Sequence, residues 1–200
     1  ISGAIPRTSG RLLCNGKEID AQSIQQAQDM GIQTVYQDLA LAPDLNVPCN
    51  IFLGREIIKQ SFFGKLFNIL DMKQMEKISR EHLAELGIGL KSMTVPVKSL
   101  SGGERQALAV AKAVAWCESV LIMDEPTAAL GARQQALVYS TMRAAADKDL
   151  GVIVISHDIP KMLEVSDRIY IMRQGEVIAN LVSRETNLQT VLSLMLTGKA

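Results

Sequence analysis

The fold of this chain is decided by one stretch, Val120-Leu121-Ile122-Met123-Asp124-Glu125-Pro126-Thr127. Four aliphatic residues predict a buried strand, and two carboxylates follow where that strand ends. Ligands of open α/β sheets bind outside the carboxyl ends of the strands, so we expect Asp124 and Glu125 to lie at a binding site. Asp124 is suited to hold Mg²⁺ and Glu125 to activate a water molecule. The alternative is a buried strand followed by an ordinary polar loop.

Pro126 also bears on the geometry of this site, because a proline disfavours the helical region for the residue before it. We therefore expect an extended backbone at Glu125, which would set the direction of its side chain.

A second informative stretch precedes the first by about one helix length: Leu100-Ser101-Gly102-Gly103-Glu104-Arg105-Gln106. At the start of a helix, free N–H groups and the positive end of the dipole favour an anion, and the two glycines let a phosphate approach closely. The alternative is a capping box, in which Ser101 is the N-cap and Glu104 the third helical residue. The tetrapeptide alone leaves both interpretations open.

Composition excludes several classes of protein. The chain has 21 Lys and Arg against 21 Asp and Glu, a balance that argues against a nucleic-acid partner. Three cysteines without a C-x-x-C pair indicate reduced thiols rather than a disulfide framework. No apolar run reaches the roughly 18 residues that a membrane-spanning helix needs.

The order of the remaining patterns predicts an α/β fold with a mainly parallel sheet and an inserted helical subdomain. Asn15-Gly16 predicts a hairpin. Gly151 to Ile155 has no polar interruption, so we expect a strand covered on both faces. Three parts are predicted: a partial α/β core at 1–45, a helical subdomain at 46–100 and a further α/β core at 101–200.

Two more polar residues follow predicted strands. Gln37 comes directly after Val35-Tyr36, and its neutral amide can ligate Mg²⁺ or hold a water molecule. His157 follows Ile153-Val154-Ile155-Ser156 and can donate a hydrogen bond to a phosphate. Taken singly, each is more often an ordinary structural residue at the end of a strand.

Together these stretches resemble the signature, Walker B, Q-loop and switch-histidine motifs of ABC-type ATPases, a family with a P-loop NTPase core. The resemblance implies ATP and Mg²⁺ as cofactors. It implies Asp124 and Gln37 as metal ligands, and Glu125 as the catalytic base assisted by His157. It further implies that the signature serves the nucleotide of a second ATPase domain, with Ser101, Gly102 and Gly103 positioned for its γ-phosphate. Gln37, in the Q-loop, and Gln106 are implied as further nucleotide-binding residues.

The stretch Asn50-Ile51-Phe52-Leu53-Gly54-Arg55-Glu56 resembles the ATP-binding subunits of bacterial ribose, xylose and fructose importers. This resemblance implies a cytoplasmic subunit on the inner face of the membrane, docked beneath membrane-spanning permease subunits and without direct sugar binding. The alternatives are a soluble ABC ATPase that acts on ribosomes or DNA, and a non-catalytic interaction module of a transporter.

No G-x-x-x-x-G-K-[ST] phosphate loop occurs in the 200 residues. In the family this loop directly precedes a helix whose end resembles Ile1-Ser2-Gly3. We therefore expect the loop to lie in a segment before residue 1, and these residues alone to turn over little ATP.

Overall fold

A computed structural model of the protein describes residues 1–36, 38–128 and 130–198. The chain forms two compact units, Ile1–Val154 and Ile155–Ala200. None of the helices in the described ranges is both long enough and apolar enough to cross a membrane.

The first unit begins with the predicted hairpin. Strands β1 (Leu12–Cys14) and β2 (Lys17–Ile19) pair antiparallel. Asn15 and Gly16 have φ angles of 50° and 76°, the left-handed values that a two-residue hairpin turn requires. Helix α1 (Ile24–Asp29) and strand β3 (Ile32–Val35) follow.

The central sheet has the order β3-β4-β5, with β4 at Val120–Asp124 and β5 at Gly151–Ile155. Strands β3 and β4 pair in parallel, with Ile32 opposite Val120, which confirms the predicted parallel core. Strand β4 lies between two neighbours, and its middle residues Leu121 and Met123 are fully buried.

The expectation that β5 is covered on both faces is wrong. Its side chains alternate between exposed and half-buried, and Ile153 and Ile155 are 40% and 50% exposed. Within the described part of the chain, β4 is the only strand beside β5 in this sheet. An unbroken apolar run therefore did not indicate full burial here.

The predicted helical region contains α2 (Val47–Ile51), α3 (Phe62–Leu66) and α4 (Met72–Glu85), and a 3₁₀ turn at Val97–Ser99 leads into α5 (Gly102–Ala115). Asp71 caps α4 by accepting a hydrogen bond of 3.1 Å from the N–H of Gln74. The largest apolar core unites α2, α4 and α5 through buried residues that include Ile51, Met75, Leu83 and Leu108.

Helix α6 (Ala132–Ala146) packs against α5 and completes the first unit together with β5. The second unit contains α7 (Ile159–Val165), strands β6 (Arg168–Arg173) and β7 (Glu176–Val182), a 3₁₀ turn at Ser183–Glu185, and α8 (Leu188–Thr197). Strands β6 and β7 pair antiparallel around Gln174-Gly175. Ile171, Val191 and Leu194 form the apolar core of this second unit.

Candidate functional site

The tip of α5 is closed by a complete capping box. The Ser101 hydroxyl accepts a hydrogen bond of 3.3 Å from the N–H of Glu104, and the Glu104 carboxylate accepts one of 2.9 Å from the N–H of Ser101. The capping box, which was the alternative to an anion site, is thus present. It leaves other donors at the helix end free, because the N–H groups of Gly102 and Gly103 have no partner in the described part of the chain.

The two glycines differ in their surroundings. A Cβ placed on Gly102 would meet nothing within 4 Å, whereas one on Gly103 would lie 2.0 Å from Cγ of Gln134 in α6. Gly102 and Ser101 are exposed and Gly103 is buried. An anion therefore has open access to the backbone at Gly102, while Gly103 is needed mainly because α6 passes close to it.

Electrostatics at this tip favour a negative group. Hydrogen bonds from Ser101, first from its backbone N–H and then from its side chain, lower the pKa of Glu104. The positive end of the helix dipole acts in the same direction. Glu104 stays ionised, and its bonds to Ser101 hold the carboxylate at the N-cap.

Gln106 lies in the first turns of α5 and is only 8% exposed. Little of its side chain is therefore accessible to a ligand from outside this unit. It remains a predicted site residue with limited access.

The carboxyl end of β4 brings Asp124 and Glu125 together, both half-buried. Among the described residues, the Asp124 carboxylate has no hydrogen-bond or ion-pair partner, so its oxygens are available to a cation. No group of three or more His, Cys, Asp or Glu residues that could hold a metal occurs in the ranges described. Mg²⁺ often takes one or two carboxylates and completes its shell with substrate phosphates and water, so Asp124 fits that manner of binding.

The expected extended backbone at Glu125 is wrong, because its φ angle is +47°, in the left-handed region. A non-glycine residue in this region has a strained backbone and persists only where its surroundings hold it. The following turn supplies such support: the N–H of Ala128 donates to the Glu125 carbonyl at 3.2 Å. The tight turn at the end of β4 overrode the local preference imposed by Pro126.

His157 is exposed and lies between β5 and α7, in the second unit. Asp158 caps α7 by accepting a hydrogen bond of 3.2 Å from the N–H of Lys161, and its own N–H donates to the Ser156 hydroxyl at 3.1 Å. These bonds set the backbone on either side of the imidazole.

Gln37, the other predicted metal ligand, lies outside the described residues, as does Ala129. The chain on either side of Gln37 borders an open groove of about 750 Å³, lined by Tyr36, Asp38, Leu39, Ala40, Leu41, Pro43, Val97 and Arg105. The groove is thus shared by the loop after β3 and the entry to α5.

The sequence did not predict the residues that contact the loop, the helix tip and the turn around this site. Asn50 and Lys112 bond to the backbone of the loop after Gln37, at Ala42 and Ala40 respectively. Gln134 and Tyr139 support the other side from α6. The bonds of Asn50, Lys112 and Tyr139 span 8 to 72 positions along the chain, so no short motif contained them.

A family model described as ABC transporter matches residues 1–128. The fructose import ATP-binding protein FrcA of Rhizobium meliloti is 40% identical over 200 residues, which cover all of this chain and 77% of that protein. The xylose/arabinose import ATP-binding protein XylG of Sulfolobus acidocaldarius is 40% identical over 195 residues, 98% of this chain and 75% of that protein. The ribose import ATP-binding protein RbsA of Bacillus cereus is 33% identical, and this chain spans 38% of its length.

Solved structures share the fold. An ATP-binding cassette of an ABC transporter in its ADP conformation superposes with a TM-score of 0.75 at 20% identity, covering 98% of this chain and 77% of that chain. A dimeric cassette bound to ADP and phosphate after hydrolysis gives a TM-score of 0.71 at 21% identity, with 92% of this chain and 78% of that chain covered. The partial ABC ATPase core expected from the sequence is therefore confirmed.

Proposed function

Because the chain belongs to the ABC transporter family of ATP-binding proteins, we propose that it is the ATP-binding and ATP-hydrolysing subunit of a carbohydrate importer. FrcA, a fructose import protein, and XylG, a xylose/arabinose import protein, are similar to this chain over nearly its whole length and support the sugar class. The observation that carries the hydrolytic role is the end of β4, where an unpartnered Asp124 carboxylate adjoins a Glu125 in a strained left-handed backbone.

In this proposal Asp124 holds Mg²⁺, which when bound offsets the negative charge of the ATP phosphates. Glu125 orients the attacking water and accepts its proton. The left-handed turn fixes the Glu125 backbone, and preorganisation of this kind lowers the entropic cost of aligning a reactant. Gln37 is assigned to the metal or the water, and His157 to a hydrogen bond with the terminal phosphate.

The tip of α5 is proposed to bind the terminal phosphate of the nucleotide held by a second ATPase domain. Ser101 and Gly102 are exposed, and the free N–H groups of Gly102 and Gly103 supply donors at the positive end of the helix dipole. Gln106, mostly buried, is assigned to the same subsite at its inner edge.

The proposed partners are permease subunits in the membrane and a second ATPase domain, which places the chain on the cytoplasmic face. The open groove between the loop at 38–43 and the turn at Val97 is a concave surface with an apolar lining, as docking of a permease segment would need. Residues 46–100 form the proposed helical subdomain that carries one side of the groove. The sugar itself has no proposed contact with this chain.

The test measures phosphate release from ATP by the protein as its gene encodes it. Glu125→Gln is expected to lower turnover by about 10²- to 10⁴-fold while ATP binding persists, since only proton transfer is lost. Asp124→Asn is expected to weaken Mg²⁺-dependent turnover. Glu118→Gln removes an exposed carboxylate that precedes the amino end of β4, the opposite end of the strand from Asp124, and serves as the control.

Co-expression with permease subunits completes the test. A complex with them in detergent, and transport lost in Glu125→Gln, are expected. Turnover that survives Glu125→Gln would refute the catalytic assignment. Association with ribosomes or DNA instead of permeases would refute the importer assignment.

A further inference from the structure

A fully buried amide lies beneath the exposed loop that follows Gln37. Asn50, in α2, is 0% exposed. Its Oδ1 accepts a hydrogen bond of 2.7 Å from the N–H of Ala42, and its Nδ2 donates to the carbonyls of Ala42 at 3.0 Å and Leu45 at 3.2 Å. An amide is suited to this position because it presents an acceptor and two donors together.

The loop has few other internal supports. Pro43, Asp44 and Leu45 are exposed, and residues 38–45 form no helix or strand. Ala40 has a φ angle of +49°, unusual for a non-glycine residue, and the Lys112 ammonium donates to its carbonyl at 3.3 Å. Polar contacts to its backbone from Asn50 and Lys112 thus support this loop, together with the packing of the half-buried Leu41 against the main apolar core.

A second set of bonds joins the same loop to the chain that enters the helix tip. The N–H of Val97 donates to the Leu45 carbonyl at 2.9 Å, and the N–H of Lys98 donates to the Pro43 carbonyl at 2.9 Å. The Lys98 ammonium also pairs with Asp44 at 2.7 Å. Three residues later the chain reaches Ser101, so the loop after Gln37 and the entry to the signature helix are bonded into one assembly around Asn50.

We propose that Asn50 is a positioning residue for ATP hydrolysis, which holds residues 42–46 so that the entry to the signature helix keeps Ser101 in the position that turnover needs. This role rests on the proposed function. Asn50 acts through backbone groups and has no contact with the nucleotide. A displacement of the loop would also displace Val97 and Lys98, which are bonded to it and lead to Ser101. Misplacement of a substrate-positioning group by about 1 Å can lower a rate about 10²-fold.

The test compares Asn50→Ala and Asn50→Asp with Ser79→Ala. Ser79 is also 0% exposed in the helical region, but its hydroxyl bonds to the Met75 carbonyl within α4, away from the loop. Both Asn50 variants are expected to lower kcat at least about tenfold with little change in KM for ATP. Asn50→Asp is expected to be no better than Asn50→Ala, because a carboxylate cannot donate to the Ala42 and Leu45 carbonyls. Ser79→Ala is expected to keep its kcat.

Hydrogen exchange at the Ala42 amide gives a readout that does not depend on activity. Exchange is expected to accelerate at least about tenfold in Asn50→Ala and to stay unchanged in Ser79→Ala. It is expected to change less in Asn50→Asp, because a carboxylate still accepts from the Ala42 N–H. Should the Asn50 variants fail to fold, Lys98→Met breaks the exposed ion pair with Asp44 from outside the core. It is expected to accelerate exchange at Leu45 and to lower kcat by a smaller factor.

The outcomes separate the two proposals. Unmodified protein without Glu125-dependent turnover would overturn the proposed function and this role together. Normal turnover in the unmodified protein, with Asn50→Ala equal to Ser79→Ala in kcat or in Ala42 exchange, would overturn the role of Asn50 alone. A kcat loss in Ser79→Ala as large as in Asn50→Ala would also overturn it, because the effect would then reflect lost stability.

Discussion

Thr127 and Tyr139 share a hydrogen bond of 3.1 Å between their hydroxyl oxygens, and both side chains are buried. Thr127 lies in the turn that follows Asp124 and Glu125, and Tyr139 lies in the middle of α6. The bond therefore links the turn that contains the strained Glu125 backbone to α6, which packs against α5. A strained residue needs surroundings that hold it, and this contact supplies part of that support.

Removal of this hydrogen bond is expected to destabilise the protein modestly. Thr127→Val and Tyr139→Phe should each lower the free energy of unfolding by about 1–3 kcal/mol, because each leaves a buried hydroxyl without this partner. In the double variant the loss should be less than the sum, with a coupling energy of about 1 kcal/mol. Urea unfolding of the four proteins measures this coupling. Strict additivity would show that the bond contributes nothing in solution.

The two glycines of the helix tip are expected to respond to alanine in opposite ways. Gly103→Ala should destabilise the protein by about 1–3 kcal/mol, because the new methyl group meets Gln134 at 2.0 Å from Cγ and 2.7 Å from Cβ. Gly102→Ala should fold at least as stably as the original, because nothing lies within 4 Å of the added group.

Activity is expected to separate the same pair of variants. If phosphate approaches the backbone at Gly102, Gly102→Ala should lower ATP turnover without loss of stability. Thermal unfolding and phosphate release on both variants provide the measurements. A Gly102→Ala protein with full activity would exclude close phosphate approach at that residue.

Glu104 should make part of the stability depend on pH. Its pKa is lowered in the folded state by the hydrogen bonds from Ser101. A lowered carboxyl pKa contributes stability that is present above the unfolded-state pKa and is lost as pH falls through the folded-state pKa. The loss should therefore occur below about pH 5. Because the carboxyl group is largely solvated, it should amount to less than about 1 kcal/mol.

Glu104→Gln provides the comparison, since an amide can still accept from the Ser101 N–H but does not titrate. Between about pH 5 and about pH 3, the free energy of unfolding should fall less in this variant than in the original protein. Parallel curves for the two proteins over that range would show that the capping box does not favour the charged form.

The local motifs were predicted well because each depends on neighbours in the sequence. The capping box joins Ser101 to Glu104, three positions apart, and the turn at Asn15-Gly16 needs only its own two residues. The aliphatic run before Asp124 similarly indicated a buried strand, confirmed by Leu121 and Met123. The same run also predicted correctly that Asp124 and Glu125 lie at the carboxyl end of β4.

The errors arose where the surroundings of a residue outweighed the preference of its immediate neighbour or of its own strand. Glu125 adopts a left-handed backbone despite Pro126, because the turn after β4 closes there. Ile153 and Ile155 are partly exposed although their strand is wholly apolar, since burial depends on what lies beside a strand and not on its own composition.

From the sequence alone came the α/β class, the acid-tipped strand, the glycine helix tip and the family resemblance, because short periodicities and adjacent residue types encode them. Tertiary structure decided which glycine is open to an anion, the backbone geometry of Glu125 and the assembly of loop and helix entry around Asn50. Those properties depend on contacts that no single motif contains, such as Gly103 with Gln134 of α6, and Asn50 and Lys112 with a loop 8 and 72 positions away. Only the folded packing of the helices and the sheet brings these groups together.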